Sequence, residues 1–461
     1  MDVIIMSAVQ SGKLQKAFTV LVGALILGFC WRLRGENGWG SSWGLLFSGV
    51  IFTMFVILAV GERKRFDFGW LGLTAVSFML TVPSWGTLNN QITGILFSEE
   101  LWGTVENPTV NYVSPLSAVF LMLCLGFGLA TIWGVLLGRA YSGKPWKLQD
   151  LIIIIAVFYA VNYISKATVS HLILDLVQPQ ASEIYAKCLN DEGITESVYR
   201  VYMQHFDNLA WAKKIDGGRN YFSSIQAISA TLSSAAVLIA TRFLVKDKRS
   251  ANIGFAVSGA FSFAITIADL WLYFSYGGYH MLHSSYLPGN IGAWGMWEYS
   301  TGFIAGGIIT YVMLKMKQEE DVREVVFSKV PAKAKSVLTF LLSFVFALGV
   351  NLVRPVLEKL KHADKSTMII AVVASAIVTA VVCIIIAVKY GFALEKIRLS
   401  DFVKVALPVM IFLSTAEYYF VGTPEFQNYR NFFGFPNFLV AVSAVIAILW
   451  CVIYIKKQPS E

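Results

Sequence analysis

The chain has 461 residues, of which 56% are apolar and only 14% are charged, and its net charge is +8. No soluble domain of this length needs such a balance, so the composition excludes an ordinary soluble protein and indicates an integral membrane protein. A helix needs roughly 20 apolar residues to cross the hydrocarbon, because lipid offers no hydrogen-bond partner to a free backbone N–H or C=O group.

About twelve stretches meet this length requirement, and we predict an all-α, polytopic helical membrane protein with that many transmembrane helices. In chain order they lie near residues 14–32, 43–60, 68–86, 115–138, 150–172, 222–245, 251–276, 291–314, 334–353, 367–389, 401–421 and 435–455. The first stretch runs directly into Arg32 and Arg34 and lacks a small-residue cleavage site. We therefore expect a retained helix rather than a signal peptide.

The positive charge predicts how the chain is oriented in the membrane. Lys and Arg are retained in the short cytoplasmic loops of membrane proteins. With both termini cytoplasmic, the inside segments hold about twice as many Lys and Arg as the outside segments; the outside loop 354–366, with four of them, is an exception. We predict a multi-pass protein of the plasma (cytoplasmic) membrane, and the basic excess gives no separate support to nucleic-acid binding.

Two domain organisations fit the sequence. Either a single polytopic domain covers 1–461, or the chain consists of two six-helix halves, 1–245 and 251–461. The second rests on the similar starts of spans two and eight, NGWGSSWG and IGAWGMWEYSTG. Duplicated halves are common in carriers, whereas Gly and Trp are frequent near membrane interfaces. We expect residues 173–221 to form an extracytoplasmic loop with one amphipathic helix, because apolar residues recur there at helical spacing.

The turn CWRLRGENGWGSSWG, after the first span, is the first candidate site. Arg32, Arg34 and Glu36 can pair with each other or bind an anionic or polyhydroxy ligand. Trp39 and Trp43 can stack on a sugar ring or close over an apolar tail. In the alternative interpretation, the arginines extend to lipid headgroups and the tryptophans join the aromatic belt of the membrane interface.

The segment GGYHMLHSSYLPGNIGAWGMWEYSTGF, residues 277–303, is the second candidate site. It has no Lys or Arg, which removes headgroup anchoring as an explanation. Glu298 is the strongest candidate in it, because a carboxylate one turn into a span is costly unless it has a function. His280 and His283 would bind a metal only with a third ligand such as His171 or Glu298. We expect neither a metal site nor a cofactor.

Polar residues of other spans are also predicted near the outer face, whereas the inner halves of the spans are almost purely apolar. Such one-sided placement predicts a polar cavity that opens to the outer face. The candidate substrate-binding residues are Arg32, Arg34, Glu36, Trp39, Trp43, Asn89, Asn90, Lys166, Asp269, Trp294, Trp297, Glu298 and Glu417. For Asp269, Lys166 and Glu417 the alternative is a structural ion pair between helices.

The first functional hypothesis is a secondary carrier for a small polar or anionic solute. Glu298, Asp269 or Glu417 would then act as a proton-coupling acid. The number of spans and the similar starts of spans two and eight favour a carrier. Carriers normally bind near the midplane of the membrane, however, so the outer position of the polar residues counts against it.

The second hypothesis is a membrane-embedded transferase or polymerase that acts on a lipid-linked sugar or acyl donor at the outer leaflet. Its catalytic candidates are Glu298, Glu36, His280 and His283, with an arginine of the first turn stabilising the leaving group. The chain contains no P-loop, HExxH or GxSxG motif. The partners we expect are the lipid bilayer and a small polar or lipid-linked substrate.

Overall fold

All regular elements in the described part of the chain are helices, which confirms the all-α class. The structure is a computed structural model that describes residues 2–35, 42–60, 74, 77–78, 115–142, 146–177, 209–271, 293–316, 399–416, 418–419 and 435–456. The helices are α1 (Asp2–Gly35), α2 (Ser42–Val60), α3 (Pro115–Phe127), α4 (Thr131–Ser142), α5 (Leu148–Ala167), α6 (Val169–Val177), α7 (Leu209–Phe243), α8 (Lys248–Ala268), α9 (Ala293–Lys315), α10 (Leu399–Ala416) and α11 (Phe435–Lys456).

Six helical segments in these ranges are long and apolar enough to cross a membrane, and each coincides with a predicted span. They are Lys13–Arg34, Val119–Arg139, Gln149–Ala167, Ser224–Phe243, Lys248–Ala268 and Phe435–Ile453. These lengths and compositions indicate an integral membrane protein. Shorter apolar helices occupy Phe47–Val60 and Val403–Ala416. The spans predicted at 334–353 and 367–389, and nearly all of 68–86, lie outside the described residues, so the total of twelve stays a prediction.

The helices form two compact units, which we call the first and the second unit. The first comprises 1–79, 139–144 and 306–461, and the second comprises 80–138 and 145–305. In the first unit, α1 and α10 each pack against α2 and α11. In the second unit, α7 packs against α3, α5, α6 and α8, and α3 also packs against α8. The predicted six-helix halves stay a prediction.

The predicted fifth span is divided by a bend at Thr168, where α5 ends and α6 begins. Thr168 has φ −139° and ψ −89°, which lies outside the helical region. Lys166 is therefore in the last turn of α5, whereas His171 belongs to the short helix α6. Of the predicted loop at 173–221, residues 173–177 are in α6 and residues from 209 onward are in α7. Most of the predicted amphipathic helix falls outside the described residues.

A seam of small residues joins the segment α3–α4 to α8 in the second unit. Small residues recur every four positions on both sides, as Gly126, Ala130, Gly134 and Gly138 on one and Ser250, Gly254, Ser258 and Ser262 on the other. A Cβ atom built on Gly126 would lie 2.4 Å from the Cα atom of Ser262, and one on Gly138 would lie 2.5 Å from the Cα atom of Ser250. The two backbones are therefore in direct contact and run antiparallel. Helices in membranes pack in this way because apolar side chains gain little by leaving lipid.

Candidate functional site

Arg32 and Arg34 lie in the last turn of α1, at its predicted outer end. Their exposed fractions are only 8% and 4%, so protein encloses both side chains. The Arg34 Cζ atom lies 4.7 Å from the ring centre of Trp31, and Trp31 meets Phe78 edge-on with the ring centres 6.0 Å apart. An indole face attracts a guanidinium group, and the C-terminal end of a helix favours positive charge.

The burial of Arg32 and Arg34 counts against the alternative in which both side chains extend to lipid headgroups. An arginine that extends to lipid headgroups keeps its guanidinium group in water, whereas these two side chains are almost fully covered. The planar guanidinium group matches a carboxylate or phosphate with two parallel hydrogen bonds. The end of α1 is therefore suited to bind an anion.

Four other candidates lie in the second unit. Asp269 follows the last residue of α8 and its side chain is fully buried. Trp297, in the second turn of α9, is also buried, and its carbonyl oxygen accepts a hydrogen bond from the Thr301 hydroxyl at 2.8 Å. Glu298 and Lys166 are half-buried. Asp269 is thus the most enclosed of the described candidate acids.

The remaining candidates lie outside the described residues. These are Glu36, Trp39, Asn89, Asn90, His280, His283 and Glu417, together with the side chains of Trp43 and Trp294. The two arginines belong to the first unit and the four other described candidates to the second. Their convergence in one outer cavity therefore stays a prediction. Within the described part of the chain, no three His, Cys, Asp or Glu side chains are placed to hold a metal ion.

The structure contains a break in the helix that the sequence did not predict, at residues 128–130 in the middle of the span Val119–Arg139. There α3 ends and α4 begins. Three hydroxyl groups donate hydrogen bonds to carbonyl oxygens at the end of α3: Ser262 to Leu123 at 2.7 Å, Thr231 to Cys124 at 2.8 Å and Thr131 to Phe127 at 3.0 Å. The Cys124 carbonyl oxygen also accepts the Gly128 backbone N–H at 3.1 Å, so the Thr231 hydroxyl group is its second donor.

A pair of hydroxyl groups crosses the seam next to this interruption. The Oγ atoms of Thr131 and Ser258 are 2.6 Å apart, and both side chains are fully buried. Ser258 is the central residue of the span Lys248–Ala268, and Thr131 lies close to the centre of Val119–Arg139. The four-residue spacing of small residues on both segments is the sequence signal that predicts this contact.

The described geometry defines a class, a polytopic helical membrane protein in which one span is interrupted at its centre. No family model matches the chain, and neither a curated protein nor a solved structure shows significant similarity to it. The assignment of a function therefore depends on the residues of this chain alone.

Proposed function

We propose that the protein is a secondary carrier for a small anionic solute. The observation that carries this proposal is the interruption of the span Val119–Arg139 at its centre. Carriers bind their substrates and ions near the bilayer midplane, at sites built from discontinuous helices. A helix that only anchors a protein gains nothing from an interruption, since an intact helix satisfies its backbone groups internally.

The negative charge of the solute is inferred from Arg32 and Arg34. Both side chains are enclosed at the end of a helix that is long enough to span the membrane. Bidentate hydrogen bonds from a guanidinium group select a carboxylate or phosphate over a neutral polar group. A small solute with one of these groups is the ligand class that this end of α1 fits.

The seam of small residues supports the motion that a carrier needs. Gly126 and Gly138 meet backbone atoms of α8, and Gly134 meets the Gly254 Cα atom and the short side chain of Val257. Helices that are not interlocked can slide past one another, which is the shear type of domain motion. Such a seam allows α8 to move against α3–α4 while the two stay in contact.

Replacing Arg34 by Gln is expected to reduce solute flux at least about tenfold, since each lost charge-assisted hydrogen bond is worth about 1.5–3 kcal/mol. The Arg34→Lys variant keeps the charge but loses the planar fork, so we expect it to retain only part of the flux. The measurement is saturable uptake and counterflow of labelled carboxylates and phosphates in proteoliposomes that contain only this protein. Lys16→Gln is the matched control, because Lys16 is an exposed cation on the same helix.

Two results would contradict the proposal. The first is modification of a lipid-linked sugar or acyl donor by the same proteoliposomes without any solute flux, which would identify a transferase. The second is equal flux in the Arg34→Gln and Lys16→Gln variants. The Tm of each variant, followed by circular dichroism, separates loss of binding from loss of folding.

Replacing Glu298 by Gln is expected to abolish transport while yield and Tm stay nearly unchanged. Glu298 is half-buried near the start of α9, and the amide has the same shape but neither the charge nor the exchangeable proton of the carboxyl group. Glu298 falls in the span that the sequence predicts at 291–314, and a carboxylate within a span is costly unless it serves a function. Flux in proteoliposomes and Tm are measured on the same preparation. A large fall in Tm would assign Glu298 a structural role instead.

A further inference from the structure

We propose that Ser234, Ser258 and Thr131 form a midspan binding site for a monovalent alkali cation. A role for this cation as an ion transported together with the solute rests on the proposed carrier function. The binding of the cation does not. All three residues belong to the second unit, and their side chains are fully buried.

The hydroxyl group of Ser234 differs from its neighbours on α7. The buried hydroxyl groups of Ser229, Ser233 and Thr241 each donate to the carbonyl oxygen four residues earlier, at 2.6 to 2.7 Å. In the part of the chain that the structure describes, the Oγ atom of Ser234 has no hydrogen-bond partner. A buried hydroxyl group without a partner is unfavourable, and a ligand that supplies the partner removes that penalty.

The register of α7 directs Ser234 toward the interruption of the span. Thr231 lies three residues before Ser234 and Leu238 lies four residues after it, so all three lie on one face of the helix. The Thr231 hydroxyl group bonds to the Cys124 carbonyl oxygen. The Cδ2 atom of Leu238 lies 2.8 Å from the position of a Cβ atom on Gly254, one turn before Ser258 on α8. The face that carries Ser234 therefore meets both α3 and α8.

All three hydroxyl groups also lie at or next to the centres of their own spans. Ser258 is the central residue of the span Lys248–Ala268, and Ser234 is one of the two central residues of Ser224–Phe243. Thr131 immediately follows the interruption at the centre of its own span. The bilayer midplane is the depth at which carriers bind ions, at helices that are interrupted there.

The site has more hydrogen-bond acceptors than donors. Thr131 donates its proton to the Phe127 carbonyl oxygen, so Ser258 is the donor in the contact between the two hydroxyl groups. A hydroxyl group has one proton and two lone pairs. Both lone pairs of the Ser258 hydroxyl group are therefore unused, as are the proton and both lone pairs of the Ser234 hydroxyl group. A cation satisfies such lone pairs.

The ligand atoms select the kind of cation. They are neutral hydroxyl oxygens, which suit hard cations. Calcium and magnesium sites in proteins use carboxylate ligands, and the three proposed ligands contain none. A monovalent alkali ion fits this set of neutral oxygens, and Na⁺ is the probe for the test.

The test is the Tm of the purified full-length protein in detergent, in NaCl and in N-methylglucamine chloride at equal chloride concentration. We expect Na⁺ to raise Tm by about 2–4 °C in a saturable way, because a ligand that binds only the folded state stabilises it. Ser234→Ala and Ser258→Ala should each abolish this shift. Ser224→Ala should retain it, because Ser224 is also buried and without a partner but lies ten residues away on the same helix.

The proposal is overturned when the wild-type Tm is the same in both salts, which would mean that the hydroxyl groups hold at most water. It is also overturned when Ser234→Ala keeps the full shift. No solute and no membrane gradient enter this measurement, so its failure is independent of the flux experiments. Absence of flux with an intact Na⁺ shift would overturn the carrier function and leave the cation site standing.

Discussion

Replacing Gly126 by Ala is expected to lower the free energy of unfolding by about 1–3 kcal/mol, because the seam leaves no room for a methyl group. The new Cβ atom would lie 2.4 Å from the Phe261 carbonyl oxygen, 2.4 Å from the Ser262 Cα atom and 2.6 Å from the Ser262 nitrogen. All three are backbone atoms of α8, so a change of side-chain rotamer cannot relieve the clash. The helices must move apart, and the hydroxyl contacts along the seam then lengthen.

Gly259→Ala is the matched control for this change. Gly259 is in the interior of α8, and among the described residues no heavy atom outside its own stretch of helix lies within 4 Å of the position its Cβ atom would take. Ala is favoured over Gly in a helix by about 1 kcal/mol, so we expect this variant to be slightly more stable than the wild type. The two variants add the same methyl group in the same unit and should change stability in opposite directions.

The measurement is unfolding in mixed micelles, followed by circular dichroism at constant detergent composition. A loss of stability in Gly126→Ala together with a gain of stability in Gly259→Ala supports direct backbone contact between α3 and α8. Equal effects of the two substitutions would contradict the seam, because helix propensity alone acts at both positions. Gly138→Ala provides an independent test at the other end of the seam, where a Cβ atom would lie 2.5 Å from the Ser250 Cα atom.

Six of the predicted spans coincide with apolar helices of the described residues, whereas the interruption of one of them could not be predicted from the sequence. Length and apolar composition determine whether a helix can cross the membrane, and both are local properties. The hydroxyl groups of Thr231 and Ser262, which bond to α3 next to the interruption, are 107 and 139 residues away from the carbonyl groups they bind. Gly126 and Gly128 alone did not predict the interruption, since glycine is frequent in transmembrane helices.

The candidate site at the end of α1 could be predicted only in part. The density of charge and tryptophan after the first span directed attention to Arg32 and Arg34. Their burial depends on how α1 packs, which local sequence does not specify. Trp31, whose ring faces Arg34, was not predicted as a site residue. The separation of these two residues by three positions, which places them on one helix face, was the available signal.

Replacing Asp247 by Ala is expected to lower the free energy of unfolding by about 2–4 kcal/mol, because its carboxylate both caps α8 and accepts the Trp146 indole N–H. Asp247 is the N-cap residue of α8, and its Oδ1 atom accepts the Ser250 backbone N–H at 3.0 Å. Its Oδ2 atom accepts the Ser250 hydroxyl at 2.7 Å and the Trp146 indole N–H at 2.9 Å. The sequence predicts only a short connection here, between the spans at 222–245 and 251–276, yet the structure buries the Asp247 side chain.

A double-mutant cycle with Trp146→Phe separates the hydrogen bond to Trp146 from the capping of α8. Phe keeps a ring in the buried position but lacks the N–H donor, so it tests the hydrogen bond rather than the volume. If Asp247 binds Trp146 directly, the two substitutions together should cost about 1–2 kcal/mol less than the sum of their separate effects, because the first already breaks the shared bond. Strict additivity would contradict the contact. Asp247→Asn is the conservative variant: it retains an oxygen that can accept from Ser250 or Trp146, so we expect it to lose less than Asp247→Ala when unfolding is followed by circular dichroism.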